Sequence, residues 1–206
     1  MVISYLGGQC FKISRGDLTL CYNPPAKDST LAQAKFGADI ALSSLDHKDF
    51  NGVENAGFGE RQPFVINGAG EYEVRGVGVR GFGTSTTYDK QQKINTIYSV
   101  NLEGLTLCFL GALRVPELPA AAKEEIDDID ILFVPVGGGD VLDKAASYKL
   151  AVQLEPKVVV PMHYDPESLK QFLKEAGAEA SRPVDKLTVK KKDLEGKEVE
   201  VVVLQS

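Results

Sequence analysis

The sequence predicts an α/β protein that begins with antiparallel strands and continues with β-α-β units. Residues 2–23 contain three short alternating segments separated by Gly7-Gly8 and Arg15-Gly16-Asp17, which is typical of antiparallel strands joined by turns. The apolar runs Ile129 to Val136 and Lys157 to Met162 have the length of strands covered on both faces. A helix-compatible segment follows each of these runs, which indicates β-α-β connections.

Four segments have the composition of helices, and capping residues mark their ends. Ser29 is the predicted N-cap of the first segment, Asp140 is that of the third, and Pro166 stands at the first position of the fourth. Gly37 and Gly177 are the expected stops of the first and the fourth. The predicted helical ranges are 30–36, 120–128, 141–154 and 166–176.

Two hairpins are predicted in addition to the N-terminal strands. Glu103-Gly104 is a short turn between the strand segments 94–102 and 105–110. A turn at 193–196 is expected to join two final strands, 187–191 and 199–204.

The composition is that of an ordinary globular protein, and we expect residues 1–206 to form a single domain. Hydrophobic residues make up 43% of the chain, which is enough for a core. The net charge of −6 argues against nucleic acid as a partner, because phosphates are bound by excess lysine and arginine. No stretch approaches the roughly 18 apolar residues of a membrane helix, and no secretory signal opens the chain. A cytoplasmic protein without membrane contact is therefore predicted.

The candidate functional stretch is Ala41 to Phe50, which reads ALSSLDHKDF. Its apolar start ends at Ser43-Ser44, and Asp46, His47 and Asp49 follow within four residues. A strand end that presents carboxylates and an imidazole can supply metal ligands or acid-base groups. For this stretch taken alone, a polar turn without a function is the alternative.

This stretch resembles the metal-binding loop of the metallo-β-lactamase superfamily, which reads Ser/Thr-His-x-His-x-Asp-His after a strand. Ser44 matches the opening hydroxyl residue, His47 the second histidine and Asp49 the aspartate. Leu45 and Phe50 stand where the first and the last histidine belong. Neither side chain has a lone pair for a divalent metal, so two ligands of the pattern are missing.

Further segments carry the resemblance along nearly the whole chain. It is closest to a branch of small predicted hydrolases that includes the ascorbate-phosphate lactonases. Gly8 replaces a histidine of that branch, and Asn23 replaces an aspartate. The strongest anchors are Leu6-Gly7, Cys10-Phe11, Gly70 to Val74, Pro135 to Gly138 and Pro161 to Tyr164.

The remaining ligand positions of the resembled pattern lie later in the chain. Tyr88 is the best match for the third histidine, and Ala112 stands in place of the aspartate that bridges two metals in relatives. His163, in Pro-Met-His-Tyr, matches the last histidine. The remnant metal ligands that the resemblance implies are His47, Asp49 and His163.

For the fold, the resemblance implies a four-layer αββα sandwich, with two mixed β-sheets packed face to face and helices outside. For function, it implies an eroded dinuclear metal site in a protein that is catalytically weak or inactive and has a binding or assembly role. No cofactor is expected, and the alternative is Zn or Mn at the remnant ligands. The sequence does not identify the small-molecule or protein partner, and it is compatible with a homo-oligomer.

The alternative function is a metal-dependent hydrolase of a small phosphate ester or lactone that uses a reduced site of His47, Asp49 and His163. Asp49 is then the catalytic candidate, because a carboxylate beside an imidazole can orient a general base. A structural interpretation, in which these residues only stabilise the loop by hydrogen bonds, is also open. A nuclease is disfavoured by the acidic composition.

Overall fold

The computed structural model describes residues 1–33, 35–60 and 62–206. In these residues the chain forms two mixed β-sheets that pack face to face, which confirms the predicted sandwich. The strands are β1 (Val2–Tyr5), β2 (Phe11–Arg15), β3 (Leu18–Tyr22), β4 (Ile40–Leu42), β5 (Phe64–Ile66), β6 (Gly70–Val74), β7 (Val77–Tyr88), β8 (Gln91–Leu102), β9 (Leu105–Phe109), β10 (Ile131–Pro135), β11 (Val158–Met162), β12 (Leu187–Thr188) and β13 (Glu200–Val201).

Each sheet combines an antiparallel part with a parallel part. The first sheet has the strand order β12-β1-β2-β3-β4-β5, in which β1, β2 and β3 are antiparallel neighbours and β3, β4 and β5 are parallel. The second has the order β13-β11-β10-β9-β8-β7-β6. Strands β6 to β9 form an antiparallel meander that includes the predicted hairpin at 103–104, and β9, β10 and β11 are parallel.

The facing sides of the two sheets share one core, because alternate residues of each strand point inward. Aromatic rings fill its centre. The Tyr22 ring of the first sheet stacks on Phe109 of the second with a centroid distance of 4.2 Å, and Phe109 stacks on Phe133 at 4.1 Å. Such offset pairs add to the free energy gained from burying their apolar area.

The three α-helices found among the described residues cover the outer face of the second sheet. They are α1 (Ala120–Glu125), α2 (Lys144–Leu154) and α3 (Pro166–Glu175), and Ala122, Leu150 and Phe172 pack with residues of β10 and β11. On the outer face of the first sheet, Cys10 and Cys21 pack beneath irregular chain and a 3-10 helix, Val53–Ala56. The outer layer on this side therefore lacks an α-helix within the described residues.

The predicted helix over residues 30–36 is wrong. Its described residues form bends and irregular chain, and Ala34 lies outside the described residues. Ser29 closes a local turn, because its Oγ accepts the Leu31 N–H at 3.1 Å. The same hydroxyl donates to Asp49 Oδ1 at 2.6 Å, so it connects this segment to the loop after β4.

The start of α2 also differs from the prediction. The helix begins at Lys144 rather than Val141, because Asp143 Oδ1 accepts the Ala146 N–H at 2.9 Å and thereby caps the first turn. Asp140, the predicted cap, instead accepts the backbone N–H of Asp89 at 3.0 Å.

The predicted C-terminal hairpin is wrong. Strand β12 pairs with β1 in the first sheet, and β13 pairs with β11 in the second. A 3-10 helix, Lys191–Leu194, occupies the predicted turn region. The two short strands therefore complete opposite sheets instead of pairing with each other.

Among the described residues, no helix is long and apolar enough to span a membrane. The single domain over residues 1–206 and the cytoplasmic location stay predictions.

Asp130 anchors the end of the sandwich where β10 begins. Its side chain is fully buried and accepts hydrogen bonds from Lys157 Nζ at 2.5 Å, Lys191 Nζ at 3.0 Å and Thr106 N at 2.9 Å. Burial alone would raise the pKa of Asp130, but the bonds from Lys157, Thr106 and Lys191 outweigh burial and hold the pKa below its ordinary value. The ionised carboxylate thus links β10 to Lys157 and Lys191, which lie later in the chain.

We expect Asp130→Asn to lower the free energy of unfolding at pH 7 by on the order of 1–3 kcal/mol, because two ammonium groups lose a charged acceptor. A carboxyl group with a lowered folded-state pKa stabilises above its unfolded pKa and loses this effect as the pH falls through the folded value. The difference in free energy of unfolding between wild type and variant should therefore become smaller below pH 3.8, which is the ordinary pKa of an aspartate side chain. Urea unfolding at pH 7 and at pH 2.5 measures it.

Asp127→Asn is the matched control, because Asp127 is exposed and the charge change is the same. A loss of stability in the control equal to that of Asp130→Asn would contradict the role given to Asp130.

Candidate functional site

The candidate site lies where the carboxyl ends of parallel strands from both sheets meet. Asn23 follows β3 and Ser44 lies just beyond β4 in the first sheet, and His163 follows β11 in the second. Gln9, in the loop after β1, crosses between the sheets and donates through Nε2 to Gly111 O at 3.1 Å. Strand ends that meet in this way commonly form ligand sites in α/β proteins.

Tight turns hold the loop that carries the predicted site residues. His47 O accepts the N–H groups of Phe50 at 2.8 Å and Asn51 at 3.0 Å, so the chain folds back directly after His47. Asn51 Nδ2 donates to Asp46 Oδ1 at 2.8 Å. Asp46 is exposed, whereas His47 and Asp49 are half-buried and Phe50 is buried.

His47 is flanked by two carboxylates. Its Nδ1 lies 3.6 Å from Asp49 Oδ2 and accepts the Asp49 N–H at 3.2 Å. Its Nε2 lies 3.9 Å from Asp89 Oδ2. Since Nδ1 accepts a bond, the neutral ring carries its proton on Nε2, on the side of Asp89.

His163 is held at the end of β11 by its backbone. Its N–H donates to Gly8 O at 2.7 Å, and its φ is +52°, in the left-handed region. A Cβ at Gly137 would lie 2.2 Å from His163 O, so this close approach requires glycine. The ring is packed so that burial lowers the pKa of His163, against the opposing effect of the Asp49 and Asp140 carboxylates.

Both histidines lie close to the Tyr88 ring. The centroid of the Tyr88 ring is 4.9 Å from that of His47 and 6.1 Å from that of His163. Burial raises the pKa of Tyr88, and the nearby Asp49 carboxylate raises it further. The structure therefore brings the three predicted remnant ligands together around one phenol ring, and their role as ligands stays a prediction.

The four residues that the resemblance aligns with missing metal ligands also come together. Leu45, Phe50, Tyr88 and Ala112 are all buried and form one hydrophobic cluster with Val141, which we name the apolar site cluster. The Phe50 and Tyr88 rings meet edge to face at 5.1 Å, and Phe50 stacks on His163 at 6.3 Å. Side chains that the resemblance places around two metal ions thus pack against each other.

A buried amide network lies beneath this cluster. Asn23 Nδ2 donates to Gln9 Oε1 at 3.2 Å and to Ser44 Oγ at 2.9 Å, and Asn23 Oδ1 accepts the Ser44 N–H at 2.8 Å. Gln9 Nε2 lies 3.4 Å from His163 Nδ1. On the second sheet, Asn95 accepts the Ala112 N–H at 2.7 Å and donates to Leu110 O at 3.0 Å.

Sequence reasoning missed Gln9, Asn95 and Val141 as parts of the site. The signal for the two amides was a polar residue within an apolar strand or beside one, as in GGQCF and KINTIYSV. Buried amides need partners, so such a residue indicates a hydrogen-bond network. Val141 gave no signal, because it lies in a loop whose position depends on the whole fold.

In the part of the chain that the structure describes, no group of three or more histidine, cysteine, aspartate or glutamate side chains is arranged to hold a metal ion.

The chain matches one known family over most of its length. Residues 2–163 match the model of the beta-lactamase superfamily domain. The chain belongs to this family. The narrower resemblance to the ascorbate-phosphate lactonases stays a prediction.

Relatives within the family include proteins named as metal-dependent hydrolases. A UPF0173 metal-dependent hydrolase of Thermococcus kodakarensis is 32% identical over 84 residues, which cover 37% of this chain and 38% of that protein. A second, from Carboxydothermus hydrogenoformans, is 44% identical over 41 residues, which cover 20% of this chain and 18% of that protein. The matched segments thus span less than half the length of these relatives.

Solved structures of the metallo-β-lactamase fold align over nearly the whole chain. A proposed Zn-dependent hydrolase of the metallo-β-lactamase superfamily from Thermotoga maritima has a TM-score of 0.75 and 27% identity, and the alignment covers 98% of this chain and 97% of that one. A proposed metal-dependent hydrolase from Parabacteroides distasonis has a TM-score of 0.68 and 17% identity, with 98% and 93% covered. The second likeness shows the fold alone.

The amide network makes Asn23 a sensitive position, since its Nδ2 donates two hydrogen bonds inside the protein. We expect Asn23→Asp to lower the free energy of unfolding at pH 7 by about 2–4 kcal/mol, because both donors are lost and a carboxylate is buried beside Gln9 Oε1. Burial raises the pKa of such a carboxyl group, so lowering the pH toward 5 should restore part of the stability. Urea unfolding at both pH values measures the change.

Asn101→Asp introduces the same charge at an exposed position of β8 and serves as the control. A variant at Asn23 that is as stable as this control at pH 7 would show that the network contributes little.

Proposed function

We propose that this chain is a metallo-β-lactamase-fold protein with an eroded dinuclear site, catalytically weak or inactive, that acts by binding a partner. The observation that carries the proposal is the apolar site cluster. Four positions that the family pattern assigns to metal ligands hold Leu45, Phe50, Tyr88 and Ala112, and these side chains fill the space between them. None of them offers an unprotonated nitrogen or a carboxylate to a divalent ion.

The remaining donors do not fit a dinuclear centre. In the family pattern, His47 is left alone at one metal, while Asp49 and His163 are left at the other. A catalytic zinc site ordinarily has three protein ligands and a water, so neither half is complete. The geometry gives each donor a protein partner instead: the Asp49 N–H for His47 Nδ1, Ser29 Oγ for Asp49, and Gln9 for His163 Nδ1.

The second candidate is hydrolysis of a small phosphate ester or lactone by a reduced site of His47, Asp49 and His163. Two observations favour it: relatives of the chain are named as metal-dependent hydrolases, and the Asp49 carboxylate lies 3.6 Å from His47 Nδ1. If a metal were held there, it would act as a Lewis acid and lower the pKa of a bound water. To bind a metal through Nδ1, His47 would first have to lose its hydrogen bond from the Asp49 N–H, and His163 its contact with Gln9 Nε2.

Metal content separates the two candidates. We expect protein purified without chelator, from cells supplied with zinc and manganese, to contain far less than one equivalent of either metal per chain by inductively coupled plasma mass spectrometry. The reason is that fewer than three ligands survive at each half of the pattern. The same measurement on His163→Ala should give an unchanged value.

About one equivalent of zinc or manganese in the wild type that disappears in His163→Ala would establish the reduced site and overturn the proposal. Activity assays with an aryl phosphate ester and a lactone, with and without added metal, would then decide between weak and efficient hydrolysis.

The packing role of the apolar site cluster can be tested by restoring a family histidine. We expect Phe50→His to lower the free energy of unfolding by about 3 kcal/mol, because a buried ring of the cluster is replaced by a smaller polar one. Phe58→His is the matched control, since Phe58 is 76% exposed and should tolerate the change. Thermal unfolding of both variants, with and without zinc, provides the measurement.

Zinc is expected to restore part of the stability of Phe50→His, because the new histidine joins Asp49 and His163 and brings that half of the pattern to three ligands. A gain in stability from zinc in the wild type as large as that in Phe50→His would mean that a metal site persists without the histidine, against the proposal.

A further inference from the structure

A groove on the outer face of the first sheet combines exposed aromatic surface with lysines. It has a volume of about 530 Å³ and is open to solvent. We name it the lysine–aromatic groove, and its lining residues are Lys27, Gln33, Lys35, Phe36, Glu54, Asn55, Gly57 and Phe58.

The apolar part of the groove is formed by two phenylalanines. Phe58 is 76% exposed, which is unusual for a ring of this size, and Phe36 is half-buried against the cluster that covers Cys10 and Cys21. A Cβ at Gly37 would lie 2.8 Å from the Cβ of Phe58, so the backbone of this segment packs closely beside Phe58. Aromatic residues anchored in this way often supply much of the free energy of protein association.

The charged part of the groove is basic, although the chain as a whole carries a net charge of −6. Lys27 and Lys35 are exposed, and neither forms an ion pair with a described residue. The ammonium of Lys12 lies 5.0 Å from the centre of the Phe36 ring. Glu54 also lines the groove and partly offsets these charges. Excess positive charge beside aromatic surface is complementary to a negatively charged, hydrophobic ligand.

Hydrogen bonds fix the floor of the groove. Asn55 Nδ2 donates to Pro25 O and to Gln33 Oε1, both at 2.7 Å, and Gln33 Nε2 donates to Ala26 O at 2.7 Å. Gly52 lies against Pro25 so closely that a Cβ there would be 2.3 Å from its carbonyl. A preformed floor lowers the entropy that must be lost on binding.

We propose that the lysine–aromatic groove binds a short acidic segment of a protein partner that carries one large apolar residue. The carboxylates of the segment pair with Lys27 and Lys35, and the apolar residue packs on Phe58. An open groove favours a peptide segment over a small metabolite, because small-molecule sites enclose most of the ligand surface. The inference rests on the binding role given under the proposed function, and it names the surface and the chemistry of the partner.

The probes are fluorescein-labelled seven-residue peptides with a central Phe, Trp or Leu flanked by Asp and Glu on both sides. We expect them to bind the wild type in fluorescence anisotropy titrations. The dissociation constant should rise at least tenfold for Phe58→Ala and for the double variant Lys27→Glu, Lys35→Glu. Peptides with a central Ser, or with Lys in place of Asp and Glu, should not bind. Higher salt should weaken binding, because the ion pairs are exposed.

Lys170→Glu with Lys186→Glu provides the matched control, since both lysines are exposed, lie outside the groove and bring the same change in charge. Circular dichroism of every variant verifies folding. No binding by any acidic peptide, or binding that the control weakens as much as the groove variant does, overturns the inference.

Metal analysis of the same preparation keeps the two proposals separate: failed binding by metal-free protein rejects the groove alone, whereas a full equivalent of metal rejects the proposed function.

Discussion

The constraint on which the site depends is the convergence of strand ends from two sheets, because each end brings backbone groups that must be paired away from water. Gln9 and Asn23 satisfy this need with neutral amides: Gln9 bonds to the second sheet at Gly111, and Asn23 bonds to Gln9 and Ser44 of the first. A Cβ at Gly111 would lie 2.9 Å from Ser44 Cβ and Oγ of the first sheet, so glycine allows the sheets to approach at this point. The junction is therefore held by protein groups that carry no charge.

That junction determines what can occupy the space above it. A metal centre needs several charged or imidazole ligands whose lone pairs converge, and such ligands are costly to bury without the ion. Burying Leu45, Phe50 and Ala112 has no such free-energy cost, and these side chains pack with Tyr88 as in a hydrophobic core. The replacement of aspartate by Asn23 acts in the same direction, because a buried amide donates hydrogen bonds where a carboxylate could only accept them. Under the proposed function, each of these substitutions removes a polar or charged group that the site would otherwise bury without a metal.

The sequence predicted much of this because its local patterns and its motifs pointed to the same fold. The strands were recognisable from alternation and apolar runs, and the loop after β4 from its abrupt change to Asp46, His47 and Asp49. The errors have physical causes. The segment after Ser29 has helical composition, but Ser29 bonds to Asp49 and Gln33 to Ala26, so tertiary contacts override propensity. The two C-terminal strands read as a hairpin, yet each adds to a different sheet, which no local pattern reveals. The amide network escaped prediction because partners such as Gln9 and Gly111 are far apart in the chain.

The segment from Pro24 to Phe36 connects the site to the outer face of the first sheet. At one end Ser29 Oγ donates to Asp49, and at the other Gln33 and Asn55 form the floor of the lysine–aromatic groove. Ser29 and Gln33 lie four residues apart, so one short stretch of chain carries both contacts. In a family member that uses Asp49 as a ligand, the same stretch would have to keep that carboxylate available to the metal. Here Asp49 accepts a hydrogen bond from the Ser29 hydroxyl, so the segment that contributes to the groove also holds one of the three predicted remnant ligands.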